Sequence, residues 1–397
     1  MSSFDAARVR RIGESVVRHA ENDDVGGVAW LAACGDDVHT GAAGRLTREQ
    51  PAPAERESIF RIASLTKPIV AVAALVLVEE HLLRLDDPVD GLLPELSDRR
   101  VLVDGRGPID GPTAPAVRPI TVHDVLTFRT GLGMEFDAPF PQPLMAAIDE
   151  LGIATAPPAP QGPPEADEWM AKLATLPLLH QPGARWTYHY SADILGVLVS
   201  RAAGASLPDV LRARVLEPLG MRDTGFVPAD VARLGSSYQR DDSGAAVVFD
   251  APGGQWSTMP AFPSGGGGLV STVDDCYAFG RMLLEGGRLP NGTPLLSHAA
   301  VEAMTTDQLG VSHGAPSPAP DGSQGWGFGV GVHVRRTGLG PTVGAYGWTG
   351  GLGSSWTNDP EHGVVGVILS TDAFTSAFPL PAVIQDFWTD VYAALDF

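Results

Sequence analysis

The stretch IFRIASLTKPIVAVAALVLVEE, Ile59 to Glu80, places one of only two lysines in a 397-residue chain three residues after a serine. Lys67 stands at the mouth of ten consecutive apolar residues, Ile69 to Val78. Such a run predicts a helix buried on every side, where a lysine has no solubilising work to do. If the helix starts at Ser64, the serine sits at the N-cap or in the first turn. Pro68 then falls where its missing N–H costs little, and Lys67 lies one turn above the serine on the same face. A serine hydroxyl is a poor nucleophile until a neighbour takes its proton. A lysine can do so when burial lowers its pKa and keeps part of it neutral. Amides at the helix start would help to hold an oxyanion. By chance alone a Ser-x-x-Lys match arises in roughly one chain in nine of this composition, so the tetrapeptide gains its weight from its place before a buried helix.

The rest of the composition narrows the field. With 44% hydrophobic residues, the chain can build a large core or two lobes. A formal charge of -20 argues against nucleic acid and anionic membranes, both of which require basic patches. The N-terminal segment MSSFDAARVRRIGESVVRHAENDD reads as an amphipathic helix with Ala6, Val9, Ile12, Val16 and Val17 facing inward, not as a signal peptide. The longest apolar run is half the length of a membrane span and closes on Glu79, Glu80 and His81. Cys34 and Cys276 are too few for a disulfide framework or a zinc site. These features lead us to expect a cytoplasmic protein.

Around the opening stretch, GGVAWLAACGDDVHTGAAGRL reads as two strands about a Gly35-Asp36-Asp37 turn, and SIFRIAS as a third short strand. Strands are expected again only near the C-terminus. There GWGFGVGVHVRR, TVGAYGWTGG, GSSWTNDP and GVVGVILSTD form a meander, followed by a helix in LPAVIQDFWTDVYAALDF. Between the ends the pattern is helical: TVHDVLTF, DEWMAKLATLP, SADILGVLVSRAAG, LPDVLRARVLEPLG and TVDDCYAFGRMLLEGG. The expectation is an α+β fold, one antiparallel sheet built from both chain ends and flanked by helices, with an inserted helical lobe. In residue numbers, 1–85 and 260–397 would form the sheet domain, 86–259 the mainly helical domain, with the active site between them. A long irregular segment from Met134 to Glu165, rich in proline, could overhang that site.

Four segments then occur in one order: SLTK before a buried helix, PGARWTYHYSADILGVLVSRAAG, SGGGGLVSTVDDCYAFGRMLL, and YGWTGGLGSSWTNDP. In that order they resemble the serine β-lactamase and penicillin-binding-protein-like superfamily across nearly the whole chain, and look most like the family VIII carboxylesterases. The resemblance implies Ser64 as acylated nucleophile, Lys67 as its proton partner, and a tyrosine from the second segment. Superfamily members often have Tyr-x-Asn there, whereas this chain reads Tyr188-His189-Tyr190. The esterase-like version, Tyr with Asp five and Gly eight positions on, fits Tyr188, Asp193 and Gly196, so Tyr188 is taken as catalytic and Tyr190 as packing. The third motif, Lys-Thr-Gly or His-Thr-Gly in lactam-recognising relatives, is Trp348-Thr349-Gly350 here. Tryptophan offers apolar surface and one donor but no charge for a substrate carboxylate. The backbone N–H groups of Gly351 and Ser64 are the implied oxyanion hole.

Other motifs carry less. GVSHG, Gly310 to Gly314, matches the nucleophile elbow of α/β-hydrolases around Ser312, but APSPAPDG follows and cannot form the required helix, so a surface loop is expected. Gly265 to Gly268 lack a lysine and read as a tight turn before a helix starting at Thr272. The segment TVHDVLTFRTGLG resembles the family's helix and turn behind the site, with Phe128-Arg129-Thr130-Gly131 in a structural role. No histidine pair has metal-ligand spacing, so neither metal nor cofactor is expected. The expected activity is ester hydrolysis of small acyl groups through a Ser64 acyl-enzyme, with a small-molecule ester or amide as substrate and neither nucleic acid nor membrane as partner. Hydrolysis of amides or D-amino-acyl peptides, lactam cleavage, acyl transfer and peptide cyclisation would use the same residues, and a non-catalytic binding or sensor protein on the same scaffold is disfavoured by the intact Ser64, Lys67 and Tyr188. Oligomeric state is not legible.

Overall fold

The two chain ends do share a sheet. The computed structural model describes residues 3–375 and 379–396. Seven strands form the sheet: β1 (Gly27–Cys34), β2 (Asp37–Gly44), β3 (Gln324–Trp326), β4 (Gly331–His333), β5 (Tyr346–Gly350), β6 (Ser354–Asp359) and β7 (Val364–Ser370). Their order is β3-β4-β5-β6-β7-β1-β2, with every pair antiparallel.

Every residue of β1 is buried, and its period of two feeds two cores. On one face Val28, Trp30 and Ala32 meet Ile12 and Val16 of helix α1 (Arg10–Glu21) and Ile384, Phe387 and Val391 of the C-terminal helix Ala382–Ala393. On the other, Ala29, Leu31 and Ala33 join the core around helix α2 (Thr66–Glu79), helix α3 (Tyr190–Ala203) and helix α4 (Val273–Leu284). Gly366 in β7 admits the C-terminal helix closely, since a Cβ there would lie 2.6 Å from the Trp388 ring. The opening stretch behaves as its apolar run predicts: Thr66 to Leu77 are all buried, so α2 is a central core helix.

Five expectations need correction. Ser64 does not cap α2: a 3₁₀ turn, Ala63–Leu65, precedes the helix and makes no side-chain cap, which leaves the hydroxyl for other partners. In the N-terminal helix Val17 is 41% exposed and Ala6 lies exposed before the first turn, because the inward stripe is only Val9, Ile12, Ser15 and Val16. Strands are not confined to the ends. Arg100–Leu102 pairs with Thr113–Pro115, and Ser237–Arg240 pairs with Ala246–Asp250 across a turn where Asp241 accepts from the amides of Ser243 and Ala245. Phe60–Arg61 pairs with Val270–Ser271 in a small sheet of its own and does not join the seven strands. The segment from Met134 to Glu165 is not irregular throughout, since Pro143–Glu150 is a helix that buries Leu144, Ala147 and Ile148. Among the described residues no single helix is long and apolar enough to cross a membrane.

Candidate active site

Ser64 is set on a bend the chain adopts at some cost. Ala63, directly before it, has φ of 44°, a region L-residues rarely occupy. The turn is pinned from the sheet. Ser354 of β6 donates its hydroxyl to the Ile62 carbonyl at 2.8 Å, and a Cβ on Gly350 would lie 2.3 Å from that carbonyl oxygen and 3.1 Å from the Ser64 nitrogen. Only glycine allows β5 to approach the serine this closely. Gly351, Trp348 and Thr349 line the same cavity as Ser64, and a Cβ on Gly351 would meet nothing within 4 Å.

Lys67 is 1% exposed, and its Nζ lies 3.0 Å from Ser64 Oγ. The same nitrogen reaches the Gly266 carbonyl at 2.5 Å and His189 Nδ1 at 3.3 Å, and sits 4.7 Å from the centre of the Tyr188 ring. Burial pulls the ammonium down to a pKa of about 7, against the opposing charge of Asp193. Lysine at this position is therefore partly neutral near neutral pH.

Tyr188 is fixed by backbone and by rings. It bridges to Met134 through hydrogen bonds in both directions, at 2.9 and 2.8 Å, and is surrounded by Phe136, Trp186 and Trp348 with ring centres 4.9 to 5.6 Å away. Burial pushes its hydroxyl up to about 12, while hydrogen bonds with Ser64 and Trp348 act the other way. Tyr190 lies 1% exposed in the first turn of α3, and burial raises its pKa as well.

The spacing of Tyr188, Asp193 and Gly196 has a physical basis in α3. Asp193 Oδ1 accepts from Ser264 Oγ at 2.6 Å and from the Gly266 amide at 3.0 Å, and Thr155 Oγ1 donates to Asp193 Oδ2 at 2.7 Å. Burial works against its charge, but His189 and these hydroxyls hold the carboxyl below its usual pKa. Gly265 packs directly on this part of α3, because a Cβ on it would lie 2.4 Å from the Ala192 carbonyl oxygen and 3.2 Å from the Gly196 Cα.

The sequence reading placed Ser64, Lys67, Tyr188, Trp348, Thr349, Gly350 and Gly351, and the fold brings them together. It missed His189, Thr155 and the carbonyl of Gly266. In the sequence the glycine run reads as a tight turn, and the available signal for its contact with Lys67 is the absence of side chains that would keep a lysine from the backbone. Ser312 lies apart, on the exposed 3₁₀ turn Val311–His313, with its hydroxyl 3.1 Å from the neighbouring His313. Phe128, at φ of 57°, is buried and its carbonyl accepts from the Thr187 amide at 2.9 Å, so that segment backs the tyrosine. Among the described residues no group of three or more His, Cys, Asp or Glu side chains is arranged to hold a metal ion.

This geometry agrees with the likeness to known proteins. The β-lactamase family profile matches residues 14–385. Protein Rv1367c of Mycobacterium tuberculosis is 40% identical over 79% of this chain and 77% of its own length. Esterase EstB of Burkholderia gladioli is 34% identical over 96% of this chain and 94% of its own. Among solved structures, EstCE1, described as a hydrolase with promiscuous acyltransferase activity, superposes with a TM-score of 0.80 at 27% identity, covering 97% of this chain and 99% of that one. With the matched span, the full-length likeness to an esterase and the common fold in agreement, the chain belongs to the β-lactamase family of serine hydrolases.

Proposed function

We propose that this protein hydrolyses carboxylic esters of small, neutral acyl groups through a covalent Ser64 acyl-enzyme, as family VIII carboxylesterases do. The observation that carries the proposal is Lys67, buried, drawn to a pKa of about 7 and 3.0 Å from Ser64 Oγ. In this reading the neutral amine accepts the Ser64 proton as Oγ attacks the ester carbonyl, and the amides of Ser64 and Gly351 hold the oxyanion. Tyr188, hydrogen-bonded to Ser64, passes the proton to the departing alkoxide. Water then repeats the cycle on the acyl-enzyme.

The preference for a neutral ester rests on the cavity, of about 930 Å³. Among the described residues no lysine or arginine lines it, and Met134, Phe136, Pro157, Pro158, Trp348 and Leu339 give it an apolar wall. A substrate carboxylate would find no cation there. We therefore expect p-nitrophenyl butyrate to be turned over well and nitrocefin poorly. The test is kcat/KM for both on one preparation. Nitrocefin within tenfold of the ester, a gap of about 1.4 kcal/mol, would favour a lactamase.

Acyl transfer is the second reading, supported by a cavity with room for an acceptor beside a short acyl group and by the description of EstCE1. Adding an alcohol acceptor and measuring the ratio of new ester to free acid separates the two. A cytoplasmic location belongs to the same proposal and is supported by two free, buried cysteines, Cys34 and Cys276.

A further inference from the structure

We propose that His189 is a positioning residue that aims the lone pair of neutral Lys67 at the Ser64 hydroxyl. This rests on the acyl-enzyme reading above and adds a fourth side chain to it.

The hydrogen bonds determine the tautomer. Thr155 Oγ1 has one proton and lies 2.7 Å from Asp193 Oδ2, which can only accept. The threonine proton therefore goes to the carboxylate, and the Thr155 oxygen turns a lone pair to His189 Nε2 at 3.0 Å. Asp193 Oδ2 itself is 3.3 Å from the same nitrogen. Both partners require a proton on Nε2. Nδ1 is then bare in the neutral ring, an acceptor 3.3 Å from Lys67 Nζ.

A neutral amine has two N–H groups and one lone pair. The Gly266 carbonyl at 2.5 Å takes one N–H and His189 Nδ1 takes the other. What remains is the lone pair, and the third neighbour is Ser64 Oγ at 3.0 Å. Without the imidazole acceptor the amine can rotate and direct an N–H at the serine, which is the wrong polarity for a base. The chain strains its backbone to place this ring: His189 has φ of 86° and ψ of -70°, between Tyr188 and the first turn of α3.

The step balances as a single proton transfer. The Ser64 O–H bond breaks, its proton joins the Lys67 lone pair, Oγ bonds to the acyl carbon, and the carbonyl π pair moves to oxygen. The oxyanion pair then re-forms the carbonyl as the ester C–O bond breaks, the leaving alkoxide takes the Tyr188 proton, and the Lys67 ammonium reprotonates Tyr188. Besides Lys67 and Asp193, the titratable groups facing His189 are Tyr188 and Tyr190, both kept uncharged by burial; the glycine segment adds the Ser264 hydroxyl and the Gly266 carbonyl.

The test compares wild type, His189→Phe and His189→Asn, after fluorophosphonate labelling of Ser64 in wild type has established the acyl-enzyme reading. Phenylalanine keeps the volume and removes the acceptor, whereas asparagine restores a carbonyl acceptor. We expect His189→Phe to lower the acylation rate on the order of 100-fold with KM within about threefold of wild type. The acid limb of its pH profile should stay in place or move down, since the ammonium loses an acceptor while the site stays dry. His189→Asn should recover at least about tenfold of the lost rate. A His189→Phe rate within about threefold of wild type overturns the proposal. So does an acid limb that moves up with asparagine no better than phenylalanine, because that reports water entry and a packing role. An independent check on wild type is the pair of ring nitrogen NMR shifts of His189, where a protonated Nδ1 would overturn the assignment even if a variant failed to fold. Failure to label Ser64 at all would defeat the acyl-enzyme reading instead.

Discussion

Trp348 donates its indole Nε1–H to the Tyr188 hydroxyl oxygen at 2.7 Å. The residue that takes the place of a cation in the third motif is thereby tied to the tyrosine we propose as proton carrier. With one lone pair of the phenol engaged by the indole, its O–H is free to point to Ser64, and negative charge building on the oxygen is met by a donor. Trp348→Phe should keep the apolar wall and lose the donor. A hydrogen bond is worth ~0.5–1.5 kcal/mol, so kcat for p-nitrophenyl butyrate should fall by about two- to tenfold with KM little changed. A selective loss in KM would mean that the indole serves only to bind substrate.

Ser64 should be the site of fluorophosphonate labelling. Ser64→Ala should abolish label and turnover together, and Ser312→Ala should be nearly silent, because Ser312 is exposed and hydrogen-bonds only locally. The readout is the mass of the adduct-bearing peptide. An adduct at Ser312 would overturn the site.

Lys67→Ala and Tyr188→Phe should each lower kcat by about 100-fold or more, the scale of a positioned proton carrier. Tyr190→Phe should retain most activity, since its ring packs in the first turn of α3. Steady-state rates of the three variants decide the matter. An inactive Tyr190→Phe beside an active Tyr188→Phe would exchange the roles of the two tyrosines.

The pH dependence follows from the buried amine. Base catalysis needs Lys67 neutral, so kcat/KM should rise through pH about 7 and then hold, because Tyr188, at about 12, stays protonated well beyond it. Stability has the same origin. The folded pKa lies below the unfolded one, so the unfolded chain binds the extra proton between about 7 and the ordinary lysine value of 10.5, and stability rises with pH across that window. A shift of that size corresponds to roughly 5 kcal/mol at about 1.4 kcal/mol per unit. Lys67→Met should therefore stabilise the fold most at pH 6, with the gain shrinking toward pH 9. Melting temperatures of the variant and wild type at the two pH values test this, and a gain independent of pH would show that burial does not tune the lysine.

How much of this was legible in the chain depends on distance along it. The buried α2, the serine and lysine one turn apart, and the two-faced strand β1 follow from local periodicity, because side-chain direction in a helix or strand repeats over a few residues. The place of Tyr188 and Trp348 required a resemblance to other chains, since nothing local marks either ring as a site residue. The hairpin Ser237–Arg240 with Ala246–Asp250 and the small pairing of Phe60 with Ser271 were missed, since strands this short carry almost no periodic signal. The environment of Lys67 could not be read at all. His189 is 122 residues from it and Gly266 is 199, and their contacts depend on a strained backbone angle and a glycine approach that exist only once α3, the glycine run and α2 are packed together. Sequence by itself determined which groups could react and which helix would be buried. Tertiary structure decided that the lysine would be dry, drawn to a pKa of about 7, and surrounded by two acceptors and one hydroxyl, because desolvation and hydrogen-bond direction are properties of the assembled interior.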